Sequence, residues 1–328
     1  MNKRRKLVIA LGASALAKPL SSLAQQQSKI WRIGFLGTAS ASGYVKETDA
    51  IRAGLRNLGY VEGKNIAIEY RWAESNPERL KEMAAELVAL KVDVIITHST
   101  VGARTAAQAT KTIPIVIADA ADPVALGLVA SLARPGGNIT GSTGFQTELA
   151  AKRLELLKEV MPRLKRVAFL LRAPNLNSVV PTYEYLQTAA KAMKLELHDF
   201  KAESLEEFPG AFTAMTKMRV EAAVINEDPL FNSNAGVIAA LAATHRLPAV
   251  GLTIFAEAGG LLGYGANRPL LYGRAANFVD KILKGAKPGD LPIERATRFD
   301  LIVNLKAAKA LGIKIPQQLL QRADKVIE

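Results

Sequence analysis

The chain has 328 residues, 49% of them hydrophobic and 22% charged, with 43 Lys and Arg against 30 Asp and Glu. That length accommodates two domains with sizeable cores, and the hydrophobic content excludes an intrinsically disordered chain. The absence of cysteine excludes disulfides, thiolate metal sites, cysteine nucleophiles and a lipid-anchored cysteine, while the formal charge of +13 is interspersed with acids along expected helices, which argues against nucleic acid as a partner.

Lys3-Arg4-Arg5-Lys6, the apolar residues 7–16 and Ser22-Leu23-Ala24 have the order of a cleavable secretory signal over residues 1–24. The apolar run is shorter than the roughly 20 residues a spanning helix needs. A periplasmic or otherwise extracytoplasmic protein is expected, by the general secretory or the twin-arginine route, and removal of residues 1–24 lowers the formal charge to +8.

From there the pattern alternates between strand and helix. Residues 31–36 (WRIGFL) predict a strand, residues 37–43 a small polar loop, and residues 47–58 a helix with Ile51, Leu55 and Leu58 inward and Gly59 as its stop. A strand at 65–70, a loop from Arg71, and a helix at 78–90 opened by Asn76-Pro77 follow. The β-branched run 92–97 is of the kind buried in parallel sheets. A helix is expected at 102–110 and a strand at 114–117. Asp122-Pro123 then suits a helix start, with Leu126, Val129 and Leu132 on one face before Pro135-Gly136-Gly137.

The alternation restarts after Gly144. Helices are expected at 149–160, 181–193, 205–218 and 234–245, strands at 166–171, 195–200, 222–226 and 248–250, and a loop at 172–178. One motif recurs: Ile115-Val116-Ile117 leads to Asp122-Pro123, and Val224-Ile225-Asn226 leads to Asp228-Pro229. The tail carries a turn at 255–260, a strand at 261–267, a helix at 272–283, a strand at 300–303 and helices at 304–311 and 317–327, too little for a third domain. The fold class expected is α/β, with two doubly wound parallel-sheet lobes.

No catalytic or metal-ligand spacing appears. His98, His198 and His245 are not close in sequence, and neither a phosphate-binding loop nor a nucleophile elbow is present beyond the signal segment. No cofactor and no catalytic residue is assigned. Candidate ligand-binding residues are small, polar or aromatic groups at expected strand ends: Thr38, Ser40, Trp72, Ser99, Thr100 and Asp122 in the first half, and Asn175, Asn177, Asn226, Asp228 and Tyr264 in the second. Ser99 and Thr100 at a helix start suit an anion, and Asp122 or Asp228 an ammonium or hydroxyls, although both aspartates also fit as simple helix caps. Trp72 and Tyr264 offer a flat face, or serve only as packing.

Residues 54–74, with Leu58-Gly59-Tyr60-Val61-Glu62-Gly63-Lys64-Asn65 at their centre, resemble the ABC-transporter substrate-binding family sometimes described as TrpX-like. So do residues 122–141, with Ala133-Arg134-Pro135-Gly136-Gly137-Asn138-Ile139-Thr140-Gly141, residues 152–158, and residues 279–288. The resemblance spans nearly all of the chain after residue 24. It implies a type I periplasmic-binding fold with a three-crossover hinge, the first crossover at 141–145. The N-terminal lobe would be residues 25–143 plus about 268–296, and the C-terminal lobe 144–267 plus about 297–328. It also implies a monomeric receptor that delivers a small molecule, such as an amino acid or related compound, to an ABC permease in the membrane. An exported α/β hydrolase or transferase, and a ligand sensor for a membrane kinase, are the alternatives.

Overall fold

Neighbouring side chains of Trp31–Gly37 (β1) face opposite ways: Ile33 and Phe35 enter one buried cluster, Leu36 another. That is the period of two of a strand buried on both faces. Val94–Thr97 (β3) divides likewise, with Val94 and Ile96 on the first face and Ile95 on the second. The computed structural model describes residues 29–144, 146–172 and 176–328, with side chains left out at 146–147 and 176–181. The expected signal segment 1–24, Phe145, Asn175 and the Asn177 side chain lie outside what is described. Residues Trp31–Glu328 form one unit.

Ile66–Trp72 (β2), Ile115–Ile117 (β4) and Ile139–Thr143 (β5) complete the main part of a first sheet of order β2-β1-β3-β4-β5, all parallel. Its crossover helices are Val45–Asn57 (α1), Pro77–Ala89 (α2) and Ser99–Ala109 (α3). Asn76 caps α2 by accepting from the backbone N–H of Glu78 and Arg79, as its sequence position predicts.

Gln146–Val160 (α4) leads into the second lobe, formed by Arg166–Leu171 (β6), Leu176–Ala192 (α5), Glu196–Lys201 (β7), Phe208–Lys217 (α6), Ala222–Ile225 (β8), Pro229–Ser233 (α7), Ala235–Thr244 (α8), Ala249–Gly251 (β9), Thr253–Glu257 (α9) and Leu262–Ala266 (β10). The order β7-β6-β8-β9-β10 repeats that of the first sheet, again parallel. The chain then returns: Arg268–Leu283 (α10) packs against α1, and Glu294–Arg295 (β11) extends the first sheet beside β5. It crosses once more to Phe299–Asn304 (β12), antiparallel to β10, followed by Leu305–Leu311 (α11), Gln317–Arg322 (α12) and Lys325–Ile327 (β13). Two α/β lobes with parallel-dominated sheets, joined by three crossings, are the fold expected from the sequence.

Four local expectations change. Asp122-Pro123 opens a single turn, not a helix: Leu126 N–H still bonds the Asp122 carbonyl, but Gly127 at φ +66° ends the winding, and Ala130 turns back to bond the Pro135 carbonyl. Arg71 and Trp72 remain in β2 because the strand pairs with β1 as far as Gly37. Helix α5 begins at Leu176, inside the expected loop. The last expected helix stops at Arg322, and the final residues instead add a strand to the edge of β12, anchored by Leu301 N–H donating to Asp324 Oδ2. Covering that edge satisfies backbone groups that would otherwise invite pairing with another chain.

Gly141 on β5 adopts φ +133°, and a Cβ there would overlap the Ile117 backbone on β4. Gly141→Ala is therefore expected to lower stability by at least about 1–3 kcal/mol from backbone strain alone, read as a drop in the urea midpoint with unchanged slope.

Candidate functional site

In a sheet of order 2-1-3-4-5, the connections from the strands on either side of the first leave in opposite directions, and a crevice opens at their carboxyl ends. Both lobes have that crevice, between β1 and β3 in the first and between β6 and β8 in the second, and the two face one cavity. From the first lobe come Tyr44, His98, Ser99, Thr100 and Asp119; from the second come Asn226, Glu227, Asp228 and Asn232. Arg268 and Tyr272, at the start of α10, complete one side.

The first-lobe wall is an aromatic stack. Tyr44 lies in the turn Ala41–Tyr44 before α1, with its ring centroid 4.1 Å from that of His98, and Phe35, Trp72 and Tyr272 surround the pair. His98 is 1% exposed and accepts a hydrogen bond at Nε2 from the Thr38 backbone N–H (3.2 Å). Burial first, and then the nearby Arg268 cation, push its imidazole down to about 3, so it is neutral at physiological pH.

Ser99 opens α3 at φ +64°, held by its N–H to the Asp119 carbonyl (2.7 Å), and its Oγ accepts from Gly102 N–H (3.3 Å). Thr100 Oγ1 accepts from Ala121 N–H. The start of an eleven-residue helix, with its partial positive charge, thus borders the cavity.

Two buried ionisable groups line the cavity. Asp119 is 4% exposed, and its Oδ1 has no hydrogen-bond partner among the described residues. Burial and the charge of Glu227 raise its carboxyl well above the usual range, against opposition from Arg268 and the Gly144 backbone. Arg268 is 4% exposed. It sits 4.8 Å over the Tyr44 ring, bonds Tyr272, and has Nε 3.4 Å from Glu47 Oε1, yet its Nη1 has no partner among the described residues. Burial works against that cation, but Tyr272, Glu47 and Tyr44 outweigh it, and the guanidinium remains charged.

The second-lobe acids are held from behind. Arg153 of α4 is fully buried, donates Nε to the Tyr264 carbonyl (2.7 Å) and places Nη2 3.2 Å from Glu227 Oε2. Asp228 is 3% exposed and caps α7 by accepting from Leu230 N–H (2.8 Å). Contacts join the lobes: Asn232 bonds the Tyr44 hydroxyl, Arg172 Nη2 donates to the Ser75 carbonyl (2.9 Å), and Lys46 Nζ lies 2.9 Å from Glu257 Oε2. A wider groove of about 440 Å³ lies beyond Arg268, but its charged groups Lys46, Glu47, Glu257 and Asp300 are all paired with protein groups. The smaller cavity, of about 50 Å³, is the candidate site, because both lobes line it and Asp119, with its unpartnered Oδ1, borders it alone.

Of the sequence candidates, Ser99, Thr100, Asn226 and Asp228 line this cavity. Thr38 and Trp72 stand behind it, supporting His98 and Tyr44, and Ser40 contacts Ser42. Asp122 is a correction: it is exposed and only caps its turn, accepting from Val124 and Ala125 N–H, because the turn leaves the sheet three residues after Asp119. Tyr264 is another: its ring stacks on Phe299, away from the cleft. The residues missed are Tyr44, Asp119, Glu227, Asn232, Arg268 and Tyr272. Asp119, the second residue past β4, was the most accessible of these to sequence reasoning; Arg268 depends on knowing that α10 returns to the first lobe.

These features define a two-lobed solute-binding protein of the type I periplasmic fold. The family model described as ABC transporter substrate binding protein matches residues 33–327, and the chain belongs to that family. A curated relative, the tyrosine-binding protein of Clostridioides difficile (strain R20291), is 27% identical over 261 residues, covering 79% of this chain and 74% of the relative. A solved domain from Streptococcus pneumoniae in complex with L-Trp is 28% identical, with a TM-score of 0.84 over 91% of this chain and all of the other. A ligand-free, open substrate-binding protein with adhesive properties from Clostridium difficile is 26% identical, covering 91% and 99%, with a TM-score of 0.66. At nearly equal identity the overlap is better with the ligand-bound relative, in keeping with the contacts between the lobes here.

His98 supplies a stability test. Its folded pKa lies below its unfolded value, so below pH 6.5 the unfolded state binds the extra proton. Its contribution is fully present above about pH 6.5 and is lost as pH falls toward 3. The stability difference between wild type and His98→Gln is expected to change by roughly 4 kcal/mol across that window, measured by urea unfolding at each pH.

Proposed function

We propose that this chain is the extracytoplasmic receptor of an ABC importer and that its solute is a zwitterion of the amino-acid type. The observation that carries the reading is a buried carboxyl and a buried guanidinium lining one cavity, Asp119 and Arg268, each with one atom, Oδ1 and Nη1, that no described residue hydrogen-bonds. A buried polar atom without a partner is costly, and a ligand bearing both an ammonium and a carboxylate offers a partner to each. The relatives named for tyrosine and solved with L-Trp support the same class.

In this reading the carboxylate takes Arg268 and the start of α3 at Ser99 and Thr100, while the ammonium takes Asp119 with Glu227 and Asp228. Asn226 supplies a polar edge. Arg153 is a positioning residue for Glu227. Asn175 and Asn177, from the second half of the sequence, remain candidates. The lobes rotate about the crossings near residues 144–146, 266–268 and 296–299, and ligand bridges them when closed. The site binds without turnover, the closed form docks on a membrane permease as a monomer, and residues 1–24 direct export. No described helix is long and apolar enough to cross a membrane.

Two outcomes test this. Calorimetric titration with amino acids is expected to show binding that Asp119→Asn weakens about 30-fold or more, since removing one member of a buried charge pair costs about 2–5 kcal/mol; undiminished affinity in the folded variant would refute the assignment. Because the Asp119 carboxyl is raised, ammonium capture favours its ionised form and expels a proton. Affinity is therefore expected to climb with pH until that group is ionised in the free protein, and buffers of different ionisation enthalpy report the released proton.

A further inference from the structure

The site has a limit that its charges do not set. In this structure, with the lobes in contact, the cavity measures about 50 Å³. An apolar cavity of about 150 Å³ admits benzene, and a single water needs about 10–15 Å³. The space left here fits a few non-hydrogen atoms and no indole or phenol ring. What fills it is the chain's own Tyr44: 1% exposed, packed against His98 at 4.1 Å with the rings tilted by 37°, covered by the Arg268 guanidinium, and tied by its hydroxyl to Asn232 of the opposite lobe.

We propose that Tyr44 is a specificity-determining residue that occupies the ring space of the cleft and restricts this receptor to zwitterions with small side chains, of the size of glycine, alanine or serine. The inference rests on the zwitterion reading above and adds to it the class of side chain. Two features make the ring hard to displace. Its turn is anchored by the Thr48 hydroxyl donating to the Tyr44 carbonyl (3.1 Å). Its plane is fixed between an imidazole and a guanidinium that are themselves buried. Admitting a second ring would require the Asn232 bond to break and the lobes to stay apart, forfeiting the closed-state contacts.

The test is calorimetric titration of ligand-stripped full-length protein with glycine, L-alanine, L-serine, L-tyrosine and L-tryptophan, on wild type, Tyr44→Ala and Tyr44→Phe. Wild type is expected to bind at least one of the small three, with tyrosine and tryptophan weaker by about 100-fold or more. Tyr44→Ala should narrow that ratio at least about tenfold, since it vacates a ring, and Tyr44→Phe, which keeps the ring, should preserve it. Tight tyrosine or tryptophan binding by wild type overturns the proposal, as does an unchanged ratio in a Tyr44→Ala protein with a cooperative thermal transition. Should Tyr44→Ala not fold, the wild-type and Tyr44→Phe arms still decide it. If none of the five binds wild type, the zwitterion reading falls, and the size limit with it. That result is distinct from aromatic binding, which removes only the size limit.

Discussion

Everything in the cleft is arranged around the cost of placing charge where water is scarce. Asp119, Glu227, Asp228 and Glu47 surround one guanidinium, Arg268, with Arg153 behind Glu227. Carboxylates that crowd a dry pocket cannot all stay ionised, and the Asp119 carboxyl is the one driven toward its neutral form. The aromatic wall belongs to the same problem. Tyr44 and Tyr272 let Arg268 stay buried by offering π-faces and hydroxyls in place of water, and His98 accepts burial because it is neutral and accepts the Thr38 N–H.

The magnitudes indicate what governs closure. Lys46 and Glu257 join the lobes at the surface, with Lys325 sharing the same carboxylate, but exposed pairs of this kind contribute about 0–1 kcal/mol and are screened by salt. Groups in the cavity act in a lower dielectric, where each charge contact is worth several times more. A ligand that completes those contacts only when both lobes reach it supplies the differential affinity that a conformational change requires.

The repeating β-runs and helix faces were readable in the sequence because burial on two faces imposes them locally: β1, β3, β6 and β8 stand where short apolar runs fall. Asn76 and Asp228 were readable as caps for the same reason, since the backbone groups they satisfy are two or three residues away. What escaped was non-local. Asp122 fitted the same local pattern as Asp228, yet a glycine in the left-handed region five residues later leaves it on an exposed turn. The aspartate that enters the cavity stands three positions earlier, in an Ala-rich stretch with no signature. Arg268 heads a helix whose amphipathic pattern is plain, but its place beside Glu47 exists only because that helix packs on α1, more than two hundred residues back. Tyr44 fell between the polar loop 37–43 and the helix expected from 47, and only the meeting of two lobes places it at the cavity.

Arg268 lies immediately after β10, where the chain passes from one sheet to the other, so the cation facing the cavity is also part of a pivot. Points on a rotation axis travel least when the bodies beside them swing. In the hinge motion proposed above, Asp119, Ser99 and Arg268 would keep their mutual spacing, while Glu227, Asp228 and Asn232 would be carried together on the second lobe. The proposed cycle is then asymmetric in time: one half would be a standing template for the solute's two charges, and the other the half that arrives. With the group that would sense the solute built into the axle, such a cycle would need no relay through the core to convert occupancy into movement.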